Sequence, residues 1–295
     1  MTQPGPFLPE PRIVRSRDGT PIAVFEVLPA GPTGDPDDRP PLLLVHGATA
    51  DHTTWRTAGP AFARTRRVFA MDRRGRGDSG DAPAYAIERE FEDVAAVAET
   101  LADGGAVDVA GHSYGGRCAL GASLLTKAIR RLVVYEGAPV PPGMTYRPPG
   151  LVEAVRGALQ AGNDERALIT FLAGIVGMSD AALDAYRRDP VWPARVRAAH
   201  TILREVEAEA TPPASLEALA AVTAPVLLLL GSISRSPFRI GTEALAARVA
   251  DARVAVIDGA AHAAHHTHAA TFVALVERFL DAPSAPLDSA RTIGA

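Results

Sequence analysis

The sequence predicts an α/β fold: a doubly wound, mostly parallel eight-stranded sheet with helices on both faces and an inserted helical cap. Three observations support this prediction. Short apolar runs recur along the chain, and continuous apolar runs are typical of strands that a parallel sheet buries on both faces. Amphipathic helical patterns separate several of these runs, and strands that alternate with helices form parallel sheets with right-handed crossovers. The long interval from Glu136 to Pro225 contains helical patterns alone.

Eight segments have the character of strands. The first two flank Asp18-Gly19, a dipeptide that strongly favours a hairpin. The third, Pro41 to Gly47, is a continuous apolar run that stops at glycine. In a sheet of this kind the active site lies beyond the carboxyl ends of the strands, so functional residues are sought there. The predicted strands cover residues 12–16, 21–27, 41–47, 67–72, 106–110, 132–136, 225–231 and 253–258.

The helical patterns predict two crossover helices and a separate cap. Residues 88–103 and 271–280 each place apolar side chains on one helical face. The interval 137–222 is too long for a crossover, so it is expected to cover the strand ends, shape a pocket and exclude water. Its helices are predicted at 149–160, 164–176, 180–188 and 193–210. The predicted domains are an α/β core at 12–136 and 223–281, the cap at 137–222, and flexible tails at 1–11 and 282–295, with a surface loop at 28–41.

Composition and charge exclude several classes of protein. At 295 residues, with 47% hydrophobic and 22% charged residues, the chain is expected to be globular and not disordered. A net charge of −4 provides no basic field for nucleic acid. The single cysteine, Cys118, excludes an intramolecular disulfide and a Cys-rich metal site. The N-terminus lacks the features of a secretory signal, and no apolar run approaches the length of a membrane helix, so we expect a cytoplasmic protein that does not bind membranes.

One segment, Gly111-His112-Ser113-Tyr114-Gly115, has the pattern of a nucleophile elbow. In this pattern a serine lies on a sharp turn between a strand and a helix, in strained backbone geometry. The flanking glycines are required because side chains there would collide with the neighbouring helix and strand. The residues after Ser113 can form a helix, whose N-terminus would direct free N–H groups and partial positive charge toward the serine.

Further motifs follow other predicted strands in the same order: His46-Gly47-Ala48, the stretch from Asp72 to Ser79, and Gly259-Ala260-Ala261-His262. Together with the elbow, they make residues 12–280 resemble the α/β-hydrolase fold superfamily, of the serine hydrolase or esterase type with a helical cap. The resemblance implies that Ser113 is the nucleophile and that His262 is the base that takes its proton. It also implies that the backbone amides of Ala48 and Tyr114 form the oxyanion hole.

The third member of a Ser-His-acid triad orients the histidine and stabilises its imidazolium. In most relatives it is an aspartate shortly after the strand that here spans 225–231, but no acid follows that strand, and Ile233 stands at the expected position. Three arrangements remain open. Glu136 ends the adjacent predicted strand, where some α/β-hydrolases carry their acid. Alternatively, Ser232 or Ser234 could hold the histidine through a neutral hydrogen bond, or the histidine has no orienting partner.

The resemblance implies a serine hydrolase that cleaves a carboxylic ester, thioester or lactone and needs no metal or organic cofactor. Carbon–carbon hydrolysis stays open, because it occurs at related sites. The expected partner is a small-molecule substrate, the expected state is a monomer or homodimer, and the candidate pocket residues are Trp55, Tyr146, Phe171 and Trp192. The absent acid supports an alternative: a catalytically impaired or non-hydrolytic ligand-binding protein of the same fold.

Overall fold

A computed structural model describes residues 5–31 and 39–283. All eight predicted strands are present in this part of the chain, and seven of them lie within two residues of their predicted bounds. The eight strands are β1 Arg12–Arg15, β2 Pro21–Glu26, β3 Leu42–Val45, β4 Val68–Met71, β5 Val107–His112, β6 Ile129–Tyr135, β7 Val226–Gly231 and β8 Ala252–Ile257, and β6 begins three residues early.

The strands form one sheet in the order β1-β2-β4-β3-β5-β6-β7-β8. β2 pairs antiparallel with β1 and β4, and every other pairing is parallel. The predicted mostly parallel, eight-stranded α/β fold is therefore confirmed. β3, β5 and β7 are buried along their whole length, which explains why they appear in the sequence as continuous apolar runs and not as alternating ones.

Helices cover both faces of the sheet. On one face α2 and α3 pack against the apolar side chains of β3 and β5, and on the other α12 packs with β4, β6 and β7. The helices are α1 Gly59–Phe62, α2 Ile87–Ala102, α3 Tyr114–Ser123, α4 Leu151–Gln160, α5 Asp164–Phe171, α6 Asp180–Tyr186, α7 Trp192–Arg197, α8 Ile202–Ala208, α9 Leu216–Leu219, α10 Ser236–Ala246, α11 Ala264–Thr267 and α12 Ala269–Leu280. Short 3₁₀ segments lie at His52–Trp55, Ala198–Thr201 and Pro212–Ala214, and a π-helical turn lies at Leu172–Val176.

Six of these helices, α4 to α9, lie between β6 and β7, within the interval predicted to be a cap. Apolar side chains of α4 to α8 form a cluster of their own, which also receives Leu230 and Phe238 from the core, whereas Leu216 and Leu219 of α9 pack into the core itself. The single helix predicted over 193–210 is instead three segments. Thr201 Oγ1 donates a hydrogen bond of 2.7 Å to Ala198 O within the last turn of the middle segment, and such side-chain bonds compete with regular helical pairing.

The start of the described chain is attached to the sheet. Phe7 pairs with Val27, and Leu8 N donates to Glu26 O at 2.9 Å, so these two residues of the predicted N-terminal tail extend the edge of β2. Residues 1–4 and 284–295 of the predicted tails, and half of the predicted surface loop, at 32–38, lie outside the described residues. None of the helices in the described chain has both the length and the hydropathy needed to cross a bilayer.

Candidate active site

Ser113 lies between β5 and α3, at the turn that the sequence predicted as an elbow. Its backbone adopts φ 54° and ψ −124°, a conformation that is strained for a residue with a side chain. A Cβ at Gly111 would lie 2.5 Å from Gly116 Cα, and a Cβ at Gly115 would lie 2.3 Å from His46 O. Both contacts are with backbone atoms, so the two glycines are required by close approach and allow the serine to project from the strand end.

Replacing Gly115 with alanine tests this close approach. We expect Gly115→Ala to lower the free energy of unfolding by about 1–3 kcal/mol, because the added methyl group forces the β3 loop away from the elbow. The measurement is chemical unfolding followed by fluorescence. Gly157→Ala, at an exposed position of α4 where a Cβ meets no atom within 4 Å, is the matched control and is expected to be neutral or slightly stabilising. Equal stability of Gly115→Ala and the wild type would contradict the steric argument.

The two residues predicted to supply the oxyanion hole both line a pocket with Ser113. Ala48 follows β3, and Tyr114 is the first residue of α3. Neither backbone N–H donates a hydrogen bond to any residue that the structure describes. The loop that carries Ala48 is fixed to the loop after β4, because His46 Nε2 accepts a hydrogen bond from Arg73 N at 3.0 Å. Two free amide donors therefore lie beside the serine, an arrangement that can stabilise a developing oxyanion.

Glu136 follows β6 directly, with φ 51°. Its Oε2 lies 2.5 Å from His262 Nδ1. Its Oε1 accepts hydrogen bonds from Gly231 N at 2.7 Å and Ser234 Oγ at 2.5 Å. The side chain is fully buried. Glu136 is held by donors from the end of β7 and the following loop, and it meets His262 in the geometry that orients an imidazole through Nδ1.

The residues after β7 take other positions. Ile233 is 69% exposed, so the position where most relatives carry an acid lies at the surface. Ser232 Oγ lies 3.2 Å from Asp258 Oδ1 and accepts from Gly259 N at 2.8 Å. Ser234 donates to the glutamate described above and not to the histidine. Of the three arrangements left open by the sequence, the structure brings the carboxylate of Glu136 to the histidine.

The ring of His262 is stacked on Phe238 with 4.3 Å between centroids. His262 O accepts a hydrogen bond of 2.8 Å from His112 Nε2, which ties the histidine loop to the residue before Ser113. Burial, and then the charge of His262, lower the pKa of His112 well below its usual range. The ring of His112 is therefore neutral, and its one N–H can donate this hydrogen bond. Ser113 Oγ forms no hydrogen bond with His262 among the described contacts, and such bonds are often long in sites without substrate.

A pocket of about 420 Å³, partly open to solvent, lies over Ser113. The two candidate pocket residues Tyr146 and Phe171 both line it. A larger cavity of about 840 Å³ adjoins it and shares Arg117, Tyr146 and Glu209 with it. The pocket is lined by Ala48, Ser113, Tyr114, Arg117, Glu136, Gly137, Tyr146, Phe171, Ile175, Glu205, Val206, Glu209 and Phe238.

The other two candidate pocket residues are not among those that line it. Trp55 is completely buried in the core below the sheet edge, with its ring 5.1 Å from that of His265. Trp192 packs within the cluster of α4 to α8, and its Nε1 donates to Glu165 at 2.9 Å. Both have large apolar rings, and such rings are buried in a core as readily as they line a pocket.

Three charged residues of the pocket were not predicted: Arg117, Glu205 and Glu209. Arg117 lies four residues after Ser113, and Glu205 and Glu209 are also four residues apart, so helical spacing could have placed each pair on one face. No motif distinguishes these residues from ordinary surface charges. Only the tertiary structure, in which all three residues line the pocket over Ser113, shows that they face the same space.

The loop from Asp72 to Ser79 forms a buried ion network beneath the site. Arg73 pairs with Glu90 at 2.7 Å and also with Glu205, and Arg74 pairs with Asp93 at 2.6 Å. These side chains are buried, so the loop connects the core to the helices above it. Nearby, burial raises the pKa of the Cys118 thiol well above its usual range, which makes Cys118 an inert core residue.

One group of potential metal ligands occurs within the described ranges: Asp51, His52 and Asp72. Their atoms already have partners. Asp72 Oδ1 accepts from His52 N at 2.7 Å and lies 2.9 Å from His52 Nδ1, while Asp51 Oδ1 accepts from Thr53 N at 2.9 Å. These contacts cap the 3₁₀ segment after β3, so the three residues stabilise the loop that contains it.

An open, mostly parallel sheet with a serine elbow after β5 and a histidine loop after β8 defines an α/β hydrolase. The chain belongs to the alpha/beta hydrolase family, because the sequence profile of that family matches residues 42–275. This confirms the family resemblance that the sequence indicated.

Comparisons with individual proteins agree on this fold. The crystal structure of an alpha/beta hydrolase from Sphaerobacter thermophilus aligns with a TM-score of 0.72 and 29% identity over 90% of this chain and 100% of that one. "Probable oxidoreductase EphD" of Mycobacterium tuberculosis is 35% identical over 107 residues, which are 35% of this chain and 17% of that protein. A 2-hydroxy-6-oxo-6-(2'-aminophenyl)hexa-2,4-dienoic acid hydrolase of Metapseudomonas resinovorans is 30% identical over 33% of this chain and 35% of that protein. The matched regions therefore span about a third or less of these two relatives.

Proposed function

We propose that this protein is a serine hydrolase that cleaves a carboxylic ester, thioester or lactone through an acyl-enzyme on Ser113. The observation that carries the proposal is the 2.5 Å contact between Glu136 Oε2 and His262 Nδ1. A histidine held in this way keeps its Nε2 free to accept the proton of a serine hydroxyl. The positive-φ backbone of Ser113 in the lined pocket supports its role as the nucleophile.

Each residue has a defined role in the reaction. Ser113 attacks the carbonyl carbon as His262 takes its proton, and the imidazolium is stabilised by Glu136. The amides of Ala48 and Tyr114 donate to the oxyanion, and losing one such donor typically costs about 3 kcal/mol of barrier. The imidazolium then protonates the leaving group. A water molecule deprotonated by His262 releases the acid and restores the serine.

The interval 137–222 acts as the cap in this proposal. Phe171, Ile175 and Val206 from its helices give the pocket an apolar wall. By closing over Ser113, such a wall excludes bulk water and strengthens the electrostatic interactions of the oxyanion donors. The cap thereby contributes both to rate and to the choice of substrate.

A fluorophosphonate probe tests this proposal, because it phosphonylates only a serine whose proton is taken by a base. We expect stoichiometric labelling of the wild type, with the modified peptide containing Ser113, and no labelling of Ser113→Ala. Ser123→Ala removes another buried hydroxyl at the end of α3 and should label normally. If the folded wild type were not labelled, the proposal would fail and a non-hydrolytic ligand-binding protein would be favoured.

A further inference from the structure

The pocket over Ser113 contains an unusual polar atom. Glu205, on α8, lines this pocket, and its side chain is only 2% exposed. Its Oε1 accepts hydrogen bonds from both Arg73 and Arg76. Its Oε2 is also buried, and it has no hydrogen-bond partner among the described residues. Buried acceptors without partners are rare in native proteins, so this oxygen needs an explanation.

Arg117 presents the complementary donor. It lines the same pocket and is 4% exposed. Its Nη1 lies 3.2 Å from Glu209 Oε1, and its Nη2 lies 3.4 Å from Ala138 O. Its Nε, however, is buried without a partner in the described chain. The pocket therefore contains one buried residue with a free acceptor and one with a free donor.

The tyrosine hydroxyls in the pocket wall already have hydrogen-bond partners. Tyr146 OH donates to Ala138 O, and Tyr114 OH lies 2.9 Å from Tyr85 OH. Of the other side chains of the wall, the carboxylate of Glu209 pairs with Arg117, whereas Phe171 and Val206 are apolar. The polar recognition that this pocket can offer to a substrate, beyond the reacting groups, thus falls to Glu205 and Arg117.

We propose that Glu205 and Arg117 form a subsite for a hydroxyl group on the substrate. A hydroxyl both donates and accepts a hydrogen bond, so it can satisfy Glu205 Oε2 and Arg117 Nε together. A carboxylate on the substrate would be repelled by Glu205, and an alkyl group would leave both atoms unsatisfied. This inference rests on the proposed hydrolase function and deepens it: the substrate is a hydroxylated ester or lactone.

Arg73 and Arg76, which both donate to Glu205 Oε1, make the subsite rigid. They fix the carboxylate of Glu205 in one orientation, so its second oxygen is presented without loss of side-chain freedom on binding. A preorganised acceptor of this kind discriminates strongly against a substrate that lacks the hydroxyl, because the buried group then stays unpaired.

The test uses pairs of esters that differ by hydroxyl against methyl. For the acyl side the pair is p-nitrophenyl 3-hydroxybutyrate and p-nitrophenyl 3-methylbutyrate. For the alcohol side it is 2-hydroxyethyl butyrate and propyl butyrate. In one of the two pairs we expect the wild type to prefer the hydroxylated ester by about 10- to 100-fold in kcat/KM, and the pair that shows this preference identifies the side that the subsite binds.

Glu205→Gln should reduce that preference about tenfold, because its amide presents a donor in place of the acceptor. Glu207→Gln is the matched control, since Glu207 lies on the same helix but is exposed and pairs with Arg156. Its preference should equal that of the wild type. If Glu205→Gln does not fold, the comparison of esters on the wild type still decides the matter.

Calorimetry on Ser113→Ala separates the two proposals. Tighter binding of the hydroxylated member of one pair, without turnover by the wild type, would support the subsite and overturn the hydrolase. Turnover and serine labelling with no preference in either pair would overturn the subsite and leave the hydrolase standing. Equal binding of both members of each pair by Ser113→Ala would also overturn the subsite.

Discussion

Glu136→Gln is expected to lower kcat by about 10⁴-fold on a p-nitrophenyl ester, with little change in KM. The substitution keeps the length of the side chain and an oxygen for Gly231 N and Ser234 Oγ. It removes the negative charge and replaces the acceptor at His262 Nδ1 with an amide donor. The imidazole then loses the partner that selects its tautomer and stabilises its protonated form. The measurement is steady-state kinetics together with a thermal melt that verifies folding.

Asp258→Asn is the matched control for this prediction. Asp258 also follows a strand at the same sheet edge, but it lies 3.2 Å from Ser232 and is exposed. Its amide variant should retain kcat within about twofold, because surface substitutions away from special features have small effects. Activity of Glu136→Gln within tenfold of the wild type would exclude Glu136 as the orienting acid.

The fold was predictable because a strand that is buried on both faces of a sheet must be apolar at nearly every position. Leu42–Val45 and Val226–Gly231 are buried at every position, so each is a continuous apolar run. The elbow was equally predictable from the sequence, because the backbone approaches Gly111 and Gly115 so closely that no residue with a side chain fits there. In both cases the constraint is local and acts on residue type.

The contact of Glu136 with His262 and the composition of the pocket wall depend on tertiary geometry that no local sequence pattern encodes. Glu136 reaches the histidine because of its left-handed backbone and the register that pairs Tyr135 with Leu229. The sequence could therefore name Glu136 only as one of three arrangements. Trp55 and Trp192 were candidates for the pocket because apolar aromatic residues suit both pockets and cores. Which of these environments such a residue enters is decided by tertiary packing.

The charged residues of the pocket connect this site to the stability of the whole domain. Arg73 donates to Glu205 in the pocket and, through Nε and Nη2, to Glu90 on α2, with both bonds to Glu90 at 2.7 Å. The same guanidinium thus holds a candidate recognition group and anchors a core helix. A substitution in this network should consequently affect folding first, and binding only in molecules that still fold.

Glu90→Gln should therefore lower the free energy of unfolding at pH 7 by about 3–5 kcal/mol, because it leaves the buried guanidinium groups of Arg73 and Arg76 with one carboxylate, that of Glu205, between them. Glu90 is 1% exposed and accepts hydrogen bonds from Arg73 and from Tyr85 OH at 2.8 Å. Burial by itself would raise the pKa of Glu90, but the charges of Arg73 and Arg76 lower it from 4.5 to about 2.

This depressed pKa gives the prediction a pH dependence with a defined sign. Ionised Glu90 stabilises the folded state fully above its unfolded pKa of 4.5, and this contribution is lost as pH falls through the folded pKa of about 2. Chemical unfolding at pH 7, 5, 4 and 3 should show the stability gap between wild type and Glu90→Gln narrowing below about pH 4.5. Glu99→Gln, an exposed position on the same helix, should track the wild type at every pH. A gap that is absent at pH 7, or that widens as pH falls, would mean that the network does not hold Glu90 as a stabilising buried carboxylate.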